Sequence, residues 1–366
     1  MTPLDAALLA CAGRHHRRWL AAAVRHLLGR SCPEELASGA GRLPGESVPT
    51  WIDRVRPDAG REPVADLLPQ VEAQLARATR LGLQPVPIGA PSYPPLLLMI
   101  ADPPPILWVR GDAMACQAPA VALVGCRAAS HAGLAAARRL AADLAAAGLV
   151  VTSGLARGVD SAAHRGALAG GGRSVAVLGS GLDRVYPPEH AGLAEELAVR
   201  GAVASEFPPG VAPLAHHFPL RNRIVSGLVR AVVVVEAPEK SGALITAACA
   251  LDQGREVLVV PGGPGGGRNR GGHLLIRDGA KLVETADDIL QEIGWSGGAA
   301  RGLSGEPESD PVLGHLPQTV DFSVDDVLSS AKVPAARVLA RLLELELEGR
   351  IQRLGSGRFQ RTEGAC

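Results

Sequence analysis

From residue 120 onward, short continuous runs of β-branched and aliphatic residues alternate with longer stretches of helical periodicity. The runs cover residues 121–124, 150–152, 175–178, 203–205, 232–235 and 257–260, with a last short one at 281–283. Runs that are apolar throughout, rather than alternating, mark strands covered on both faces. Between most of them lie amphipathic stretches at 133–147, 161–168, 189–199 and 246–253. This order predicts an α/β, doubly wound, mostly parallel sheet that ends near Ile293.

Residues 1–80 read differently, as short helices: an Ala/Leu/Arg-rich run at 4–28, a Gly/Pro-punctuated middle, and 65–81 with apolar residues at helical spacing. A small amino-terminal helical (SAM-like) domain is expected. Residues 84–95 carry five prolines, and Asp102 with three following prolines leads into Ile106-Leu107-Trp108-Val109, a strand ending at Gly111. The Gly/Ser-rich, charged stretch 294–310 has no periodicity and reads as a linker. Beyond it, helix at 323–330, a break at Val333-Pro334, helix at 335–347 and a hairpin around Gly355-Ser356-Gly357 spell a winged helix. The expected domains are therefore 1–80, 81–293, the linker, and 311–366.

The chain has 366 residues, 47% of them hydrophobic, enough for two or three cores. Thirty-seven basic and thirty-seven acidic side chains cancel, so any nucleic-acid binding must come from a local patch. Between residues 121 and 290 the balance is seventeen basic to fifteen acidic, and from 301 to 366 it is eight to ten. A net acidic winged helix points to a protein-contact role, with duplex reading by Arg337 or Arg341 as the lesser alternative. Six scattered cysteines show no Cys-x-x-Cys pair and no zinc spacing, which argues against a disulfide framework or structural metal and for a reducing cytoplasm. No apolar stretch reaches ~18 residues and no secretory signal opens the chain, so membrane insertion and export are not expected. With ten aromatics in all, a ladder of stacking rings is not expected either.

In an open parallel sheet, ligands bind beyond the carboxyl ends of the strands, where loops enter helices whose first N–H groups are unpaired. Five loops fall there: Gly125-Cys126-Arg127, Ser153-Gly154-Leu155-Ala156-Arg157-Gly158, Gly179-Ser180-Gly181, Glu236 to Gly242, and Pro261-Gly262-Gly263. Any one of these glycines serves equally to turn the chain; five loops on one rim make a binding edge. Arg127, directly after a strand, is placed to meet a phosphate or a neighbouring carboxylate. Lys240-Ser241-Gly242 before a helix resembles an anion cradle, although no Walker loop is present. Arg221-Asn222-Arg223 puts two guanidinium groups and an amide within one turn, as a solvated helix start also would. Gly-x-Gly-x-x-Gly does not follow the first strand, and no Ser/His/Asp or paired-carboxylate set stands out, so neither a dinucleotide cofactor nor catalysis is expected.

Taken in order, these strings resemble the DNA-processing protein A family (DprA, also called Smf). The likeness rests on Tyr93-Pro94, Arg110-Gly111-Asp112, Val124-Gly125-Cys126-Arg127, Ser153 to Asp160, Tyr186-Pro187, Phe218-Pro219-x-Arg221-Asn222-Arg223-Ile224, Lys240 to Ala247 and Gly254-Arg255-Glu256-Val257, across about residues 80 to 290. The resemblance implies an extended Rossmann-like domain that binds single-stranded DNA without catalysis, dimerises, and loads RecA recombinase onto strands, including those coated by single-strand-binding protein, in natural transformation. It implies DNA contacts at Cys126, Arg127, Ser153, Gly154, Arg157, Arg221, Asn222, Arg223, Lys240, Ser241 and Gly242. Cys126 stands where the family commonly has serine, which removes one hydroxyl donor.

Two other readings share the fold type. Nucleoside-monophosphate phosphoribohydrolases carry a Pro-Gly-Gly-x-Gly-Thr-x-x-Glu loop; Pro261-Gly262-Gly263-Pro264-Gly265 begins it, but Gly266 and Asn269 take the Thr and Glu places. A small-nucleotide sensor using the same rim is the third.

Overall fold

The computed structural model describes residues 1–13, 17–29, 46–55, 63–263, 266–295, 351–354 and 358–361, together with Ser323, Val338 and Leu342. Residues 1–298 form one compact unit and 299–366 a second.

The first unit opens with helices α1 (Pro3–Ala12), α2 (Arg17–Leu27), α3 (Val48–Val55) and α4 (Val64–Arg80). Thr2 and Asp5 cap α1 reciprocally. There follow β1 (Gln84–Pro87), α5 (Pro95–Leu98), β2 (Ile106–Gly111), β3 (Ala120–Val124), α6 (His131–Ala146), β4 (Val150–Ser153), α7 (Val159–Ala169), β5 (Ser174–Val177), α8 (Ala191–Arg200) and β6 (Ala202–Ser205). The chain continues through α9 (His217–Gly227), β7 (Ala231–Val234), α10 (Gly242–Asp252), β8 (Glu256–Val259), α11 (Arg270–Arg277), β9 (Lys281–Leu282) and α12 (Ala286–Glu292).

The nine strands form one sheet in the order β1-β2-β6-β5-β4-β3-β7-β8-β9. From β6 to β9 all pairs are parallel, while β1 and β2 add antiparallel at the β6 edge. Alternate residues feed two cores. Val121 and Leu123 pack with α6 and α7, while Ala120, Ala122 and Val124 face the layer that holds α9 and α10. This two-sided burial explains why β3 and β7 are apolar throughout. The chain leaves β3 in one direction for β4 to β6 and in the other for β7 to β9, so the gap between the β3 and β7 loops is the topological switch point.

The proline-rich stretch after residue 83 is not only a connector: it contributes β1, paired with β2 through Val86 opposite Leu107. Pro85 and Pro87 are tolerated because an edge strand leaves one side of its backbone unpaired. The helical segment packs onto the sheet domain rather than standing apart. Arg77 of α4 bonds Asp183 at 2.5 Å, and Arg25 of α2 donates to the Ala101 carbonyl.

In the second unit, the wing expected from the sequence is present as an antiparallel hairpin, β10 (Ile351–Arg353) with β11 (Phe359–Arg361). Val338 and Leu342, one turn apart in helical conformation, are buried, as is Phe359. The rest of the two expected helices, and the linker beyond Trp295, lie outside the described residues.

Candidate functional site

Over the switch point opens a cleft of about 650 Å³. It is bounded by the β3 loop (Gly125, Cys126, Arg127), the β4 loop (Gly154, Ala156), Tyr186, the first two turns of α9, and the β7 loop entering α10 (Pro238, Lys240, Ser241, Gly242). The loops are held by packing that only glycine permits. Gly158 adopts φ +79°, and a Cβ there would meet the Cys126 carbonyl at 2.3 Å, so the start of α7 seats directly against the β3 loop.

Glu236, at the end of β7, organises the other side. Its carboxylate accepts from the Ser130 N–H at 3.0 Å, the Ser130 hydroxyl at 2.5 Å and the Cys126 thiol at 3.3 Å. Burial works against its charge, but the Ser130 and Cys126 hydrogen bonds and Arg268 outweigh it and hold the carboxyl below the ordinary glutamate value. Ser130 in turn caps α6 by accepting from Gly133.

The expected contact residues divide sharply. Arg127 and Lys240 are exposed, line the cleft, and have no carboxylate partner among the described residues. Arg127 lies over the Phe218 ring, 5.4 Å from its centroid, and Phe218 meets Tyr186 at 5.6 Å and 55°. Ser241 caps α10 by accepting from Ala243, and Gly242 is exposed at the helix start, so this N-terminus opens into the cleft. Asn222 reaches the Gly242 carbonyl at 3.4 Å and bridges the two walls.

The others are engaged inside the protein. Ser153 is fully buried and its hydroxyl donates to the Leu123 carbonyl at 2.7 Å, so it braces β4 against β3 instead of facing the cleft. The Gly154 N–H is taken by Asp160 at 3.1 Å. Arg221 is 5% exposed and donates to the Val177 carbonyl at 2.5 Å. Burial pushes Arg221 down and Asp160 up, and each charge partly offsets the other's burial. Arg223 leaves the cleft altogether: it pairs with Asp102 at 3.0 Å and Glu206 at 2.6 Å on the far side of α9. Arg157 stays at the surface beside the cleft but is bonded to Glu189 at 2.5 Å. Cys126 turns its thiol to Glu236, and burial followed by that contact pushes its pKa up to about 11, so the position offers no anionic nucleophile near neutral pH. Ser153 and Arg223 therefore lie off the cleft, while Gly154 and Arg221 line it with the Gly154 N–H and one Arg221 N–H already taken by Asp160 and Val177. In exchange, the ring pair Tyr186 and Phe218 went unnoticed in the sequence, because the two rings stand 32 positions apart and meet only in the fold.

Two further observations bear on chemistry. Asn269, at the place where a phosphoribohydrolase needs its glutamate, is buried and accepts from the Ala237 N–H at 3.1 Å, a structural tie between the β7 and β8 loops. Among the described residues, no group of three or more His, Cys, Asp or Glu could hold a metal, and no helix is long and apolar enough to cross a membrane.

A doubly wound sheet with a cationic, ring-bearing cleft at its switch point defines the class, and comparison supplies the family. Residues 84–294 match the DNA recombination-mediator protein A family and residues 298–357 the DprA winged helix domain; the chain belongs to this family. It is 42% identical over 292 residues to protein Smf of Escherichia coli, covering 77% of this chain and 78% of that one. The crystal structure of DNA processing protein A from Streptococcus pneumoniae superposes with a TM-score of 0.65 at 32% identity, covering 80% of this chain and 98% of that one. The solved structure of DNA processing protein A from Helicobacter pylori, described for its single-stranded DNA binding mode, superposes at 0.52 with 26% identity, over 57% and 95% of the two chains.

Proposed function

We propose that this protein binds single-stranded DNA in the switch-point cleft without catalysing a reaction, and delivers the strand to a RecA-type recombinase in transformation and recombination. The observation that carries the reading is the pairing of two exposed cations, Arg127 and Lys240, with the open N-terminus of α10 and the ring pair Tyr186 and Phe218 in one cleft. Phosphates take the cations and the helix N–H groups, and a base released from stacking lies on the rings, a combination tolerant of sequence. The single-strand binding described for the Helicobacter pylori relative supports the same reading. Direct contacts are assigned to Arg127, Asn222, Lys240, Ser241 and Gly242, with Arg157 at the rim; Cys126, Gly154 and Arg221 complete the cleft lining, Ser153 braces the β4 loop behind it, and Arg223 anchors the far side of α9.

Binding of fluorescent oligothymidylate across a salt series tests this. Arg127→Ala and Lys240→Ala are each expected to weaken binding and to lower the log–log salt slope by about 0.7, the share of one phosphate contact on a single strand. Unchanged affinity and slope in both variants would remove the reading. Its finer part, a homodimer that seeds RecA on strands coated by single-strand-binding protein, is tested by sedimentation and by the lag of RecA filament assembly on such strands. The lag is expected to shorten with the wild-type protein and not with the Arg127→Ala/Lys240→Ala double variant.

A further inference from the structure

Arg157 stands on the rim of the cleft with its charge already engaged. Its Nε donates to Glu189 at 2.5 Å, and the two side chains are 53% and 49% exposed. An ion pair this open to water contributes little, because solvent and salt screen it and two long side chains must be ordered to make it. A phosphate that reaches Arg157 therefore competes with Glu189 on nearly equal terms.

The backbone on both sides of the pair is fastened. His190, buried next to Glu189, donates from Nδ1 to the Leu155 carbonyl at 2.8 Å, two residues before Arg157. Leu155 holds φ +59°, a conformation that few residues with a side chain adopt, and the His190 bond secures it. The competition is thus between side chains, with the β4 loop and the turn Pro188–His190 held in place.

The surroundings show where a released Arg157 acts. It shares a small side pocket with Arg127, Gly154, Tyr186 and Phe218, and the Tyr186 hydroxyl lies beside its guanidinium. A nucleotide within a strand has a phosphate on either side. With its base on the two rings, Arg127 borders it from the β3 loop and Arg157 from the β4 loop. In the free protein the mutual hydrogen bond raises Arg157 and lowers Glu189, so both groups stay charged near neutral pH.

We propose that Glu189 is a charge gate on the cleft: its carboxylate occupies Arg157 in the free protein and must be displaced before Arg157 takes a phosphate, which holds single-strand affinity below what the cations of the cleft allow. This rests on the reading of the cleft as a single-strand site and names a residue that limits it.

Oligothymidylate binding by the full chain across a salt series tests the gate. Glu189→Gln is expected to bind about twofold to fivefold tighter, the release of one exposed ion pair, and to steepen the log–log salt slope by about 0.7, one added phosphate contact. Glu189→Asp keeps the charge but falls one methylene short of Arg157, and is expected to shift affinity and slope in the same direction. Arg157→Gln/Glu189→Gln differs from Glu189→Gln by the cation alone and should return to the wild-type slope. Melting temperatures confirm that each variant is folded. Wild-type or weaker binding by Glu189→Gln overturns the gate. So does a gain in Glu189→Gln with none in Glu189→Asp, which would reflect lost negative charge and not a released arginine, or a steeper slope that persists in the double variant. Arg127→Ala, measured alongside, separates the two readings: if its slope falls while Glu189→Gln matches wild type, the gate fails and the single-strand site stands.

Discussion

Gly154 lies so close to Arg221 that a Cβ built on it would sit 2.0 Å from Nη1 of the guanidinium. The β4 loop and α9 are therefore locked through one hydrogen atom's width, with the buried cation fastened to Val177 behind them. Gly154→Ala is expected to destabilise the protein by about 1–3 kcal/mol, the usual cost of overpacking a dense site. The midpoint of urea unfolding measures this. A midpoint equal to wild type would mean that Arg221 moves freely, contrary to its burial.

Arg223 sits two positions on along the same helix and has a different task. Two residues are separated by roughly 200° around a helix axis, which carries its side chain from the cleft to the carboxylates of Asp102 and Glu206. Arg223→Met removes the cation that faces two carboxylates in a largely buried pocket, and is expected to lower stability by about 3 kcal/mol. The salt slope for oligothymidylate should stay at the wild-type value. A slope reduced as in Arg127→Ala would return Arg223 to the DNA interface.

How much of this was legible beforehand follows from burial. The strands β3 to β8 show in the sequence because two-faced burial forces continuous apolar runs, and the helices between them because one face remains wet. β1 hides because Pro85 and Pro87 read as breaks, which an edge position tolerates. α9 hides because its buried side includes His217, Arg221 and Arg223, so no apolar stripe marks it. The string Arg221-Asn222-Arg223 names the right helix, yet adjacency in sequence says nothing about which side each group faces. Arg127 and Lys240 line the cleft because each stands in a loop that carries the chain from a strand to the next helix, a position the order of apolar runs already marks. The acids that capture Arg157 and Arg223 come from loops 32 positions downstream and 17 upstream, and only the fold brings them in.

His164 supplies a pH dependence. It is fully buried, with Nδ1 2.8 Å from the Ser174 hydroxyl, which itself donates to the Val151 carbonyl, so the ring nitrogen acts as the donor. Burial first, and the nearby Arg221, His190 and Arg165 charges next, push its pKa down to about 3. The unfolded chain takes up this proton near 6.5 and the folded protein refuses it, so stability is full above 6.5 and declines as the pH falls from there toward about 3. The slope contributed is about 1.4 kcal/mol per pH unit, or about 2 kcal/mol by about pH 5. Urea unfolding of wild type and His164→Asn at about pH 7.5 and about pH 5 checks it. The variant is expected to be weaker at both, but with a smaller difference between them. An equal pH difference in the two proteins would show that other groups carry the acid sensitivity.

Cys126 offers the last test, because the family resemblance and the local geometry pull in different directions. Read as a family position, it lacks a hydroxyl that would donate to a phosphate, and Cys126→Ser should tighten binding. In the fold, the side chain instead donates to Glu236 at 3.3 Å, and its own N–H is held by the Glu236 carbonyl at 2.7 Å. A serine hydroxyl placed there has the same carboxylate to donate to, and a hydrogen bond to a charged acceptor is the stronger choice. Cys126→Ser is therefore expected to leave oligothymidylate affinity within about twofold, a change of less than 0.5 kcal/mol, while raising the unfolding midpoint slightly through the better donor. Cys126→Ala should also bind as wild type but unfold earlier, since it removes one of the hydrogen bonds on which the Glu236 carboxylate depends. A roughly tenfold gain in affinity for the serine variant alone would place the hydroxyl on the DNA and make residue 126 a contact after all.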